Sequence, residues 1–216
     1  METSVETSVG LPKILQKVLL SCGIIAALLY GGTDMIAGLA TPGYNFATMS
    51  ASILSSFGTT TRPYMLPLSI VADFLLIAFA VGVWFSANHN WAMRVTAGLL
   101  AGNAVFTLIA TIFFPINPGE AMNTYANKMN VILMATSVVL FFLAICFGAV
   151  ANHNWFRYFS IGIIVFLFAG DIFATWGLKP ALGGGSFPPL VGVQERTMIY
   201  GELLWLSLQA IVLLRA

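Results

Sequence analysis

Residues 129–150 read MNVILMATSVVLFFLAICFGAV, with no charged side chain along the whole stretch. A helix needs about 20 mainly apolar residues to cross a bilayer. This run is long enough, and five more resemble it, at roughly 15–40, 64–86, 95–115, 158–178 and 197–214. Proline, glycine and polar residues separate them. The composition agrees: 59% of the 216 residues are hydrophobic, 8% are charged, and the mean hydropathy is +0.91. Soluble domains carry about 25% charged residues. A fold of this size could not cover a watery surface with so few charges, whereas lipid solvates apolar surface directly. The expectation is an all-α, six-helix transmembrane bundle. It comprises an N-terminal segment at 1–14 and a single membrane domain at 15–216.

The connections refine this picture. The longest, PGYNFATMSASILSSFGTTTRP (42–63), mixes Ser and Thr with Ile53, Leu54 and Phe57 and is expected to form a short interfacial helix. The segment from Lys179 to Glu195 contains GGGSFPP and reads as irregular loop. The run after Lys17 is too long for a signal-peptide core and is read as a retained first helix. With the N-terminus inside, Lys13, Lys17, Arg94, Arg157 and Arg215 fall on the inner side; Arg62, Lys128, Lys179 and Arg196 fall on the outer. Lys13 and Lys17 flank the first helix, which favours both termini in the cytoplasm of a multi-pass cell-membrane protein. Ala87-Asn88-His89-Asn90-Trp91 recurs as Ala151-Asn152-His153-Asn154-Trp155. Either the hairpins of helices two–three and four–five are a duplicated pair, or two interface turns converged on the same chemistry.

Four acids interrupt the apolar runs: Asp34, Asp73, Asp171 and Glu202. An unpaired carboxylate at the bilayer centre costs roughly 2.5–3.5 kcal/mol on insertion scales. At about 1.5 Å per residue, Asp34 lies about 9 Å from the outer helix ends, Asp171 and Glu202 about 10 Å, and Asp73 about 13 Å. All four fall in one layer. If the helices bring them together, they form an acidic pocket for a cation, a proton or a polar headgroup. Otherwise each is a neutral, hydrogen-bonded strut between helices, the reading favoured for Asp73 taken alone. Arg196 is the cation best placed to enter such a pocket, because Glu195, Arg196 and Glu202 share one stretch and Glu195 and Glu202 share one helix face. Arg62 and the other cations at the outer helix ends either pair with the acids or snorkel to the interface. Gly98 and Gly102 form a GxxxG pattern read as internal packing, and Asn103 is expected to bond between helices.

Other chemistries find little support. His89 and His153, the two histidines, lie at inner loops, opposite the acids, so no metal site is expected. No cofactor is implied. No GxSxG elbow or Ser-His-Asp arrangement appears, and Gly183-Gly184-Gly185 lacks the lysine of a phosphate loop. Cys22 and Cys146 read as packing residues. A net charge of +1 argues against nucleic acid.

The stretch Cys22-Gly23-Ile24-Ile25 through Tyr30, then Gly32-Thr33-Asp34-Met35-Ile36-Ala37-Gly38, Thr41-Pro42-Gly43-Tyr44 and Thr61-Arg62-Pro63, carries a resemblance. Phe114-Pro115, Lys128-Met129-Asn130 and Glu195-Arg196 extend it. The chain resembles the prokaryotic membrane proteins catalogued as domain of unknown function 998, over roughly 18–214. The resemblance implies a bundle of about six helices and no particular activity. It further implies a Ser-Glu-Leu-like segment after the Pro-Gly-Tyr, where this chain has Ser52-Ile53-Leu54, and a His where Asn130 stands. Both departures remove polar or metal-capable groups from the outer pocket.

The function expected first is binding or transport of an ion or a small polar or amphiphilic ligand. Asp34, Asp171 and Glu202 would form its site, with Arg196 as charge partner, Tyr44 and Asn130 at the rim, and Arg62 and Asp73 nearby. The alternative is a non-catalytic lipid-interacting or scaffold subunit, with membrane lipids as partners in either case. An intramembrane hydrolase comes third, for want of a nucleophile–base pair.

Overall fold

The structure is a computed structural model that describes residues 12–117, 124–153, 155–182 and 190–215; within 170–182 it describes the backbone only. Six α-helices account for nearly all of it: α1 (Lys13–Ala40), α2 (Arg62–Ser86), α3 (Trp91–Phe113), α4 (Tyr125–Ala151), α5 (Trp155–Leu182) and α6 (Val191–Arg215). No strand occurs among the described residues. Five of the helices are long and apolar enough to cross a membrane. The sixth, α5, has its described apolar stretch at Trp155–Ala169. Large apolar side chains face outward all round, for example Leu28 at 71% exposure and Phe113 at 68%. Water would not tolerate that surface, but hydrocarbon would.

Each helix packs on its sequence neighbour, and α6 closes the ring against α1. Both ends of the described chain therefore come to one end of the bundle. There Gln16 of α1 donates to Ser86 at the end of α2 (2.8 Å), and Asn90 donates to the Ala151 carbonyl closing α4 (2.9 Å). Asn90 also caps α3 by accepting from the Met93 amide. The two copies of the repeated pentapeptide take different backbones. Asn88 is left-handed at φ 47°, whereas Asn152 is extended at φ −107°. Asn154 lies outside the described residues.

Small residues set the helix spacing. A Cβ on Gly23 would come within 2.8 Å of the Phe79 ring, and one on Gly148 within 2.6 Å of Trp205. Such close approach is how lipid-embedded helices gain dispersion contact without a hydrophobic drive between them. Polar groups add ties between helices. Asn103 donates to the Ser137 carbonyl (2.9 Å) and Trp205 Nε1 to Ser160 Oγ (2.9 Å). Of the GxxxG pair, Gly102 packs on Leu140, while Gly98 lies in an outward groove between α2 and α3.

The long connection at 41–61 is a cap over the opposite end of the bundle. It holds one short helical piece, a five-residue 3₁₀ turn at Ala51–Ser55, where a short interfacial helix is expected from the sequence. Ala51 and Leu54 turn inward and are buried, leaving too little apolar surface on one side for a helix lying in the interface. A second difference concerns α6. It begins at Val191 and α5 runs to Leu182, so 179–182 and 191–195 are helical and not loop, while the GGGSFPP stretch at 183–189 lies outside the described residues. The polarity of Gln194 and Glu195 masked the start of α6 in the sequence, because the apolar run begins only after Arg196.

Candidate functional site

The extra turn of α6 places Arg196 beside Asp34, six residues before the end of α1. The guanidinium grips the carboxylate with both edges: Nε donates to Oδ2 and Nη2 to Oδ1, each at 3.0 Å. Asp34 is 1% exposed and Arg196 6%. Tyr200, one helical turn beyond Arg196, donates to Asp34 Oδ2 at 2.6 Å. The rest of the guanidinium serves the cap. Nη2 donates to the Tyr44 hydroxyl (2.7 Å), and Nη1 to the carbonyls of Phe46 (3.1 Å) and Met49 (3.2 Å). The Phe46 ring lies 4.7 Å from the guanidinium carbon, adding a cation–π contact. Only Arg presents enough coplanar donors for this arrangement; Lys does not. Tyr44 in turn donates to the Ser50 carbonyl at 2.8 Å. Burial raises its phenol above the ordinary range, against the opposing effect of Arg196, so it stays a hydroxyl donor.

The first turn of α6 holds the cap in two further ways. Glu195 accepts from the Ser50 hydroxyl and from the Ala51 amide. The amides of Gly192 and Val193, which have no partner within their own helix, donate to the Ala47 carbonyl at 3.0 and 3.2 Å. Gly192 is glycine for a reason: a Cβ there would run into the carbonyl oxygens of Phe46 and Met49.

Below this clamp lies a second polar level. Asp73 sits eleven residues into α2 and Glu202 eleven into α6, about 16 Å down each helix at the standard rise. Neither has a hydrogen bond or ion pair among the described residues, and Asp73 Oδ2 is fully enclosed without a partner. Glu202 precedes the fully buried Trp205 by three positions and so shares its inward face. Tyr30 of α1 lies within electrostatic reach of Asp34, Asp73, Glu195 and Glu202 together. On α2 this level coincides with a break in the apolar interior. A large cluster around Phe79, Phe141, Phe156 and Trp205 fills the bundle away from the cap. A small separate one, Ala37, Leu54 and Met65 with Tyr44 and Tyr64, lies directly under the cap. On α2, Asp73 falls between Met65 of the small cluster and Leu76 of the large one.

The model of the family described as a protein of unknown function (DUF998) matches residues 24–212. The chain belongs to this family. No curated protein and no solved structure matches it. The matched span of the DUF998 chain includes Asp34, the cap, Asp73, Arg196 and Glu202.

Not every residue singled out in the sequence joins these two levels. Arg62 stays with the cap itself, donating to the Ser55 carbonyl (2.6 Å) with its guanidinium 4.1 Å from the centre of the Phe57 ring. Asn130 belongs to the α3–α4 corner, where it donates to the Phe114 carbonyl at 2.7 Å. The Asp171 side chain lies outside the described residues. Sequence reasoning missed Tyr30 and Tyr200. Both carried a signal: Tyr30 stands four residues before Asp34 and Tyr200 four after Arg196, so each shares a helix face with a group already suspected.

Proposed function

We propose that this DUF998 protein binds an ion or a small polar or amphiphilic ligand inside the bundle, with Asp73 and Glu202 as its acidic wall and Tyr30 within electrostatic reach of both. One observation carries this reading: the enclosed Asp73 Oδ2 that no described residue satisfies. Buried polar atoms are almost always paired, and an orphan calls for a partner from outside the chain. A carboxylate within a membrane-spanning segment is a candidate functional site on the same ground. The expected partner is a cation, because the buried cation Arg196 is committed to Asp34. Asp34, Arg196 and Tyr44 then frame the site, and Asp171 is assigned to its wall from its position in the sequence. In this reading the cap faces out of the cell and both termini face the cytoplasm, as Lys13 and Lys17 suggest. The hairpins α2–α3 and α4–α5 are read as a duplicated pair.

A structural role has its own support. The Asp34 clamp is so fully partnered that it would lock a scaffold subunit equally well. Thermal unfolding of the purified protein against a panel of alkali ions and small primary to quaternary amines separates the two. Binding predicts that at least one cation raises the midpoint, and that the rise vanishes in Asp73→Asn/Glu202→Gln. If no member of the panel moves the native midpoint, the scaffold reading stands.

A further inference from the structure

The cap is built unlike the rest of the bundle. Its residues meet α6 almost wholly through hydrogen bonds, and its apolar cluster of Ala37, Leu54 and Met65 is separate from the main core. Glycines bracket it. Gly43 has φ +76° and Gly58 φ +82°, and nothing lies within 4 Å of where a Cβ would stand on either. Left-handed glycines in open space are the positions where a chain can swing without steric cost. Between them, residues 44–57 are fastened to the first turn of α6 by hydrogen bonds, to α2 through Arg62 on Ser55 and Phe57, and to α1 through the Phe46 ring on Gly38.

We propose that residues 44–57 form a lid, hinged at Gly43 and Gly58 and latched by Arg196, over the polar level that holds Asp73 and Glu202. Arg196 joins three parts at once: Asp34 of α1, its own helix, and the cap through Tyr44, Phe46 and Met49. The latch is exchangeable. A cation arriving at Asp34, or loss of the Asp34 charge, removes what aims the guanidinium at the cap carbonyls. Glu195, the Gly192 and Val193 amides, Arg62 and the small apolar cluster then hold the lid without its most connected fastening. The large core beneath does not depend on these contacts. Opening is therefore local, as expected for a segment with few apolar contacts and many hydrogen bonds. That the lid admits a ligand rests on the binding reading above; the motion itself does not.

The test needs no ligand. Ala51, 3% exposed on the inner side of the cap, is replaced by Cys in a chain carrying Cys22→Ala and Cys146→Ala. Purified protein in detergent is treated with a water-soluble maleimide. Ala97→Cys, 2% exposed in the main core, and Thr48→Cys, exposed on the cap, are the references. The expected result is slow labelling of Ala51→Cys that quickens about tenfold with Asp34→Asn, the loss of one charge-assisted contact, while Ala97→Cys stays unreactive. The lid is overturned if Ala51→Cys labels as fast as Thr48→Cys in the native background, since nothing then latches it. It is equally overturned if Asp34→Asn leaves the rate unchanged, or exposes Ala51→Cys and Ala97→Cys together. A failed lid leaves the cation panel intact, and a failed panel leaves the labelling result intact, so the two proposals fall separately.

Discussion

Asp34 and Arg196 are the most heavily bonded charged pair among the described residues, and their energetics are asymmetric. Removing one partner strands a buried charge and costs about 3–5 kcal/mol, whereas removing both leaves no stranded charge. Arg196→Met alone should therefore lower stability sharply, measured by unfolding in mixed micelles, and Asp34→Leu/Arg196→Met should recover part of the loss. The recovery stays incomplete because the Phe46 and Met49 carbonyls lose their donor as well. Asp73 and Glu202 carry the opposite sign. With no partner to lose, Asp73→Asn and Glu202→Gln should leave the thermal midpoint unchanged or raise it. A drop in either would reveal a partner that the described residues do not supply. Gly192→Ala should cost about 1–3 kcal/mol, as overpacking against rigid backbone does, because the colliding atoms are the carbonyl oxygens of Phe46 and Met49.

At the scale of elements, hydropathy located all six helices, since a spanning helix announces itself by length and composition alone. It misplaced the start of α6 because Gln194, Glu195 and Arg196 are polar yet helical, with the Glu195 and Arg196 side chains turned to the cap and Asp34 instead of to water. The carboxylates were legible as exceptions within apolar runs. Their partners were not, because which helix faces which is decided by tertiary packing. Placing the four acids in one layer also depended on helix ends taken from hydropathy. With the ends where they fall, Asp73 and Glu202 lie below Asp34, and the single layer separates into a paired and an unpaired level. Trp205 sets the floor beneath. It stacks edge-on to Phe141, lies against Phe156 and Gly148, and is 0% exposed. Trp205→Ala should cost about 3–5 kcal/mol, read as a fall in the unfolding midpoint.

Across the whole molecule, the ring of helices is closed by α6 packing on α1, and the clamp sits where that closure meets the cap. Among the described residues the apolar interior holds a large cluster and a small one under the cap, and on α2 Asp73 lies between them. The central claim is that these two acids are uncompensated while Asp34 is not. A lipid-soluble carbodiimide, which modifies carboxyl groups in apolar surroundings, tests it when the adducts are mapped by mass spectrometry on the folded protein. The account predicts adducts on Asp73 and Glu202, slowed by whichever cation stabilises the protein, and none on Asp34. Modification of Asp34 with Asp73 and Glu202 untouched would contradict it.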